Sequence, residues 1–279
     1  MAWRRLARSF CRRWTAPAGL AVFVLVLAMA ASAPWLFPED PFSMVTRPLL
    51  WPGENRQYLL GSDMLGRDVL AGIFHGARVS LAIGGAATAA ALGAGVLIGA
   101  LAGYYGGVLD DVLMRGTEAF QTIPPFVFVI VVVVIARPSI RSIILAIALV
   151  SWPSVARLVR AEFLALRHRE FVQSCRALGM GDGRIIFRQI LPNALASIIV
   201  TASIMVATAI LTESGLAFLG LGDANVMSWG SMIGAGREML RTEWYLTAIP
   251  GIAILLTVLA LNLVGEGLND ALNPRLRDR

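Results

Sequence analysis

Few side chains in this sequence could do chemistry, and their spacing argues against catalysis. The 279 residues include two cysteines, Cys11 and Cys175, and two histidines, His75 and His168. In the topology derived below the histidines fall on opposite sides of a membrane, so neither a metal cluster nor a Cys/His nucleophile pair can be assembled from them. No metal and no cofactor is therefore expected. All 24 basic residues are arginine. Without a lysine there is no phosphate-binding loop of the G-x-x-x-x-G-K type, so any ATP used must be hydrolysed by another chain. One acidic residue, Glu213 in AILTESGLAFLGLG, lies well inside an apolar run. A carboxylate there is costly and must face the interior of a bundle, pair with a partner or take up a proton. Two readings stay open: a residue on a solute's path, or a paired structural glutamate that positions neighbouring helices.

The other chemistry-bearing stretch is Arg169 to Pro192, REFVQSCRALGMGDGRIIFRQILP, a polar island between apolar runs. Phe171, Val172, Cys175 and Leu178 recur at helical spacing, which predicts a short helix with one apolar face and Arg169 and Arg176 elsewhere. Gly179 suits the left-handed backbone of a helix stop, and Asp182 is placed to cap the helix that follows. That helix carries Ile186, Phe187 and Ile190 on one side. Pro192 fits the first turn of the next apolar run, where no N–H is needed.

The elements that must hold these residues are membrane spans. With 57% hydrophobic and 15% charged residues, the chain is too apolar for a soluble domain, in which about 25% of residues are charged. Six runs approach the ~20 apolar residues that a bilayer demands: 18–37, 79–103, 113–136, 139–161, 194–217 and 245–265. They are continuous and lack period-2 alternation, so helices and not a barrel are expected. Of the arginines, 16 fall on one side of these spans and 8 on the other. The excess places both termini and the Arg157–Arg188 region in the cytoplasm, with Arg4, Arg5, Arg8, Arg12 and Arg13 forming a retained tail. Ala31-Ser32-Ala33 mimics a signal cleavage site, but Pro34 follows it and the apolar run continues. The net charge of +6 flanks spans instead of striping one folded face, which argues against nucleic acid.

Outside the membrane, the segment after the first span is irregular through Pro38, Pro41, Pro48 and Pro52. From Asp63, as N-cap, the pattern predicts a surface helix bearing Leu65, Val69, Leu70, Ile73 and Phe74. Gly95, Gly99 and Gly103 recur every four positions, a spacing that lets helix backbones approach closely, within this chain or between chains. Gly103 to Gly107 makes an inner turn. Pro124-Pro125 opens the hydrogen-bond ladder of the third span near its inner end.

Several of these segments resemble one family. The 169–192 stretch is similar to the cytoplasmic coupling loop of bacterial ABC importer permeases, whose motif is Glu-Ala-Ala, three residues, Gly, nine residues, a hydrophobic residue, any residue, then Leu-Pro. Aligned on Gly179 and Leu191-Pro192 the spacing fits, although Gln173-Ser174-Cys175 replaces Glu-Ala-Ala and Gln189 takes the hydrophobic position. Ser174 and Cys175 keep the small size, and Glu170 lies one turn away. Leu59-Leu60-Gly61-Ser62-Asp63, Leu65-Gly66-Arg67-Asp68-Val69-Leu70 and Gly76-Ala77-Arg78-Val79-Ser80-Leu81 resemble the signature of the dipeptide/oligopeptide/nickel branch. So do Trp229-Gly230-Ser231-Met232 and the final run from Asn262 to Leu276.

The resemblance implies an all-α polytopic protein of six transmembrane helices with a type I ABC importer-like membrane domain over 59–276. Residues 1–58 match only in layout, and 277–279 form a short cytoplasmic tail. It also implies a non-catalytic subunit that imports di- or oligopeptides, or related small solutes, across the bacterial inner membrane. The implied partners are a second homologous permease, forming a heterodimer with this chain in the lipid bilayer, two cytoplasmic ABC ATPase subunits and an external binding protein. The implied coupling residues are Glu170, Gln173, Ser174, Cys175, Ala177, Leu178, Gly179, Asp182, Ile190 and Pro192. A self-sufficient carrier or channel is the alternative, and it would need a coupling-ion site for which Glu213 is the sole deep carboxylate.

Overall fold

Prolines and glycines decide where the apolar runs of this chain begin, bend and stop. The computed structural model describes Phe10 and residues 14–272. The arginine tail with Cys11, the Asn273–Leu276 part of the final signature and the tail 277–279 lie outside the described residues. The helices are α1 (Thr15–Leu36), α2 (Val69–Tyr105), α3 (Gly107–Gln121), α4 (Pro125–Ala136), α5 (Ile140–Leu166), α6 (Glu170–Ala177), α7 (Asp182–Ile185), α8 (Leu191–Phe218), α9 (Trp229–Gly236) and α10 (Tyr245–Leu272). A π-helical turn, Ile186–Ile190, joins α7 to α8. Pro192 explains that turn, because its ring crowds the carbonyl four residues back and it has no N–H to give. Leu191 donates instead to the carbonyl of Ile186, five residues earlier.

Among the described residues, five helices are long and apolar enough to cross a membrane: α1, α2, α5, α7 continued through α8, and α10. The third expected span, 113–136, is the sixth only if a bent pair of helices is counted as one span. It is two helices, α3 and α4, bent by 80° at a short break. Pro125 disfavours helical backbone at the residue before it, and Pro124 is extended with ψ 127°. With its 12 residues, α4 spans only about 18 Å, short of a hydrocarbon core of ~30 Å.

The predicted surface helix from Asp63 is also corrected. Asp63 accepts from the backbone N–H groups of Leu65 and Arg67, both at 2.9 Å, and so folds a turn. The helix begins at Val69, where the Asp68 carboxylate accepts from Leu70 N–H at 2.9 Å. The reason is Gly66, whose φ of +78° cannot sit in a right-handed helix. Asp182 likewise does not cap. It is the first residue of α7, and the cap position is Gly181.

The body is held chiefly by α2 against α5. A Cβ on Gly95, Gly99 or Gly103 would fall within 2.5 Å of Val155 Cβ, 2.3 Å of Ala156 O and 2.6 Å of Phe163 Cβ respectively. The small-residue spacing therefore serves packing inside this chain. In the loop between α1 and α2, Ser62 Oγ accepts from Leu50 N–H at 2.9 Å and donates to Arg47 O at 2.6 Å. The Tyr245 hydroxyl lies 2.9 Å from Ser62 O and 3.1 Å from Leu50 O, which ties this loop to α10. Trp229, fully buried, donates from Nε1 to Ile73 O at 2.9 Å and wedges α9 against α2.

Candidate functional site

The 169–192 stretch leaves the bundle after α5 and returns through α7. Its first helix, α6, ends as the glycine demands: Gly179 has φ +70°, its N–H bonds Arg176 O at 2.9 Å, and Met180 N–H bonds Cys175 O at 3.0 Å. This is the paired closure of a Schellman stop, which leaves no Cβ in the left-handed position. One face of α6 turns inward. Val172 is fully buried and packs with Tyr104, Phe163, Ile185, Ile186 and Ile190, and Cys175 packs partly against the same cluster.

The opposite face is open. Phe171, Ser174 and Leu178 follow one another at i, i+3 and i+7, so they share a side of the helix. All three are exposed, Leu178 by 83%. Glu170, Gln173 and Ala177 are exposed beside them. The sequence pattern grouped Cys175, Ile186 and Ile190 with the outward contact surface; the structure places all three toward the chain's own core. Their role is to seat the loop, because apolar area is removed from water there without any partner.

The loop is fastened to α2 by polar contacts that the sequence did not reveal. Tyr104 donates its hydroxyl to Asp182 Oδ1 at 2.6 Å. The Arg176 guanidinium carbon lies 5.1 Å over the Tyr104 ring, within cation–π range. Arg167 Nη1 donates to Gly103 O at 3.2 Å. Gln173 reaches His168 O at 3.4 Å. Pro192 is exposed in the first turn of α8. Tyr104 sits in the motif GYYGG, where an aromatic at a membrane edge is ordinary, so nothing in the sequence singled it out.

Glu213 is not among these residues. It lies in the C-terminal half of α8, is 2% exposed, and accepts from Ser228 Oγ at 2.6 Å through Oε1. A Cβ on Gly230 would come within 2.8 Å of one carboxylate oxygen and 2.9 Å of the other. The carboxylate thus lies beneath the first turn of α9, the end of a helix that favours negative charge. His75 Nε2 donates to Phe37 O at 2.9 Å.

A helical membrane body with a broken span and a loop held out from one end is the architecture of a transport permease subunit. In fold the chain is similar to the methionine ABC transporter MetNI in its inward-facing conformations, with a TM-score of 0.60 at 16% identity, covering 72% of this chain and 96% of that one. Residues 95–278 match the binding-protein-dependent transport system inner membrane component family, and residues 2–52 match the N-terminal TM domain of oligopeptide transport permease C. The chain belongs to that inner membrane component family. Relatives include the di/tripeptide transport system permease protein DppC of Pseudomonas aeruginosa, 37% identical over 97% of this chain and 91% of the relative. The dipeptide permease DppC of Haemophilus influenzae is 40% identical over 92% of this chain and 89% of the relative. The glutathione permease GsiD of Pectobacterium atrosepticum is 37% identical over 99% of this chain and 92% of the relative.

Proposed function

We propose that this chain is one membrane half of an ATP-driven importer of short peptides or related small solutes. It works beside a second, homologous permease, takes solute from an external binding protein, and has both termini in the cytoplasm. It hydrolyses no ATP itself. Two separate ABC ATPase subunits grip the 169–192 loop, and their closure on nucleotide favours one arrangement of the spans over another. The peptide assignment rests on the relatives' names. The coupling assignment rests on one observation, the exposed Phe171–Ser174–Leu178 face of a helix whose other side is seated through Val172 and Cys175.

Large apolar side chains displayed on a short, anchored helix suit a helix-in-groove contact. The small Ser174 between them lets a groove wall approach. Tyr104 and Asp182 then carry the push into α2, and α2 moves with α5 because their glycine seam leaves no slack. Glu213, in this proposal, holds α9 in place and does not touch solute.

The test is reconstitution. With companion permease, ATPases and binding protein in liposomes, ATP should drive uptake of a dipeptide, and this chain alone should move none. Leu178→Asp should leave the chain in the membrane, since surface changes away from packed sites stay within about 0.5 kcal/mol, yet lower uptake at least ten-fold and weaken co-purification of the ATPase. Solute movement by the isolated chain would overturn the proposal.

A further inference from the structure

A cavity of about 230 Å³ lies at the end of α2 remote from the 169–192 loop, and the importer proposal makes no use of it. Three parts of the chain wall it: the turn leading into α2, the segment leading into α9 with that helix itself, and Leu246 in the first turn of α10. Most of the wall is apolar. Met64, Met227 and Met232 all line it, and their unbranched thioethers adapt to the shape of an apolar group.

The same cavity is bordered by charge of both signs. Arg67 lines it with its Nε buried and without a hydrogen-bond acceptor. Asp63 Oδ2 is 3.9 Å from that nitrogen, beyond hydrogen-bond reach. The Phe42 ring, 4.8 Å from the guanidinium carbon, holds the group in place but accepts none of its protons as a carboxylate would. A buried donor left unmet calls for an explanation. Asp68 lines the cavity too. Its Oδ1 accepts from Leu70 N–H at 2.9 Å, and it has no ion-pair partner among the described residues. Burial pushes its carboxyl above the usual carboxylate range, and an ammonium beside it would reverse that shift.

We propose that this cavity binds one free hydrophobic amino acid as its zwitterion. The carboxylate meets the Arg67 fork, the ammonium meets Asp68 and Asp63, and the side chain lies among the three methionines. Size supports a single residue. Pockets for drug-sized ligands measure ~300–1,000 Å³, whereas at ~30 Å³ per water this one holds about eight waters. Leucine fits that space, glycine leaves most of it empty, and dileucine overfills it. Bound there, the amino acid touches the α1–α2 loop, α9 and α10 together, so it favours whichever arrangement keeps them in contact. The site is thus a sensor of free amino acid and not a station for the imported peptide.

Binding to the full-length chain, purified in detergent without binding protein, tests this independently of transport. Tritiated leucine should bind saturably, with a Kd below about 1 mM. Leucinamide lacks the carboxylate, 4-methylpentanoate lacks the ammonium and glycine lacks the side chain; each should compete at least ten-fold less well than leucine. Arg67→Gln should weaken leucine binding at least ten-fold. Ala235→Phe, which fills the cavity from α9 and removes no charge, should do the same. Absence of saturable binding would overturn the site, as would competition by leucinamide or 4-methylpentanoate equal to that of leucine. Tighter binding of dileucine than of leucine would overturn the single-residue ligand. If both variants fail to accumulate, the competition series on the unaltered chain still decides.

Discussion

The outer loop and the inner loop of this protein both turn on glycines, yet the glycines do opposite work. Outside, Gly61 and Gly66 have φ of +75° and +78°, and a Cβ on either would lie 2.0 Å from Leu50 O and 2.1 Å from Thr46 O. Inside, Gly179 has φ +70°, but a Cβ on it, on Gly181 or on Gly183 would meet nothing within 4 Å. The outer motif is thus a folding requirement, satisfied within the chain. The inner motif keeps space that the chain itself does not fill. Packing accounts for one, and in the proposed complex a partner would meet the other.

That contrast can be broken by substitution. Gly61→Ala carries the largest expected effect, because left-handed backbone strain of ~1–3 kcal/mol adds to a backbone clash that cannot relax. The variant should fail to accumulate in the membrane, as read by quantitative blotting of washed membranes. Gly179→Val comes next. It bears the same kind of strain with no clash, so the chain should accumulate normally while ATP hydrolysis and uptake part company, uptake falling about ten-fold. Normal coupled uptake in Gly179→Val would remove the loop from the mechanism.

Tyr104→Phe sharpens the comparison on the inner side. It deletes one hydrogen bond to Asp182, worth ~1 kcal/mol net, and should lower solute moved per ATP about five-fold with little change in thermal stability. A purely structural Tyr104 would shift the melting temperature and leave that ratio alone. Glu213→Gln should do least. Its amide oxygen can still accept from Ser228, so the loss is the charge at the start of α9, about 0.5–1 kcal/mol. Uptake should stay within two-fold, and a ten-fold loss with α9 in place would return Glu213 to the solute path.

Much of the fold was legible in residue order because a bilayer reads length and polarity directly. The runs at 139–161, 194–217 and 245–265 foretold α5, α8 and α10 closely, and Gly179 foretold the end of α6. In the 113–136 run the two prolines marked the break, but hydropathy counts apolar residues and is blind to direction, so the 80° turn was not legible. The start of α2 was missed by five residues, since Asp63 and Asp68 are both competent caps and Gly66 alone forbids the earlier choice.

For the site, the sequence by itself determined the position and boundaries of the inner loop and the residue types on its first helix. It did so because periodicity and a left-handed glycine are local properties. Only the tertiary structure decided which apolar residues face outward. Val172 and Ile190 were indistinguishable in pattern from Phe171 and Leu178, and the choice lay with Tyr104 and Phe163, distant in the chain, which supply the surface that buries one pair and leaves the other in water.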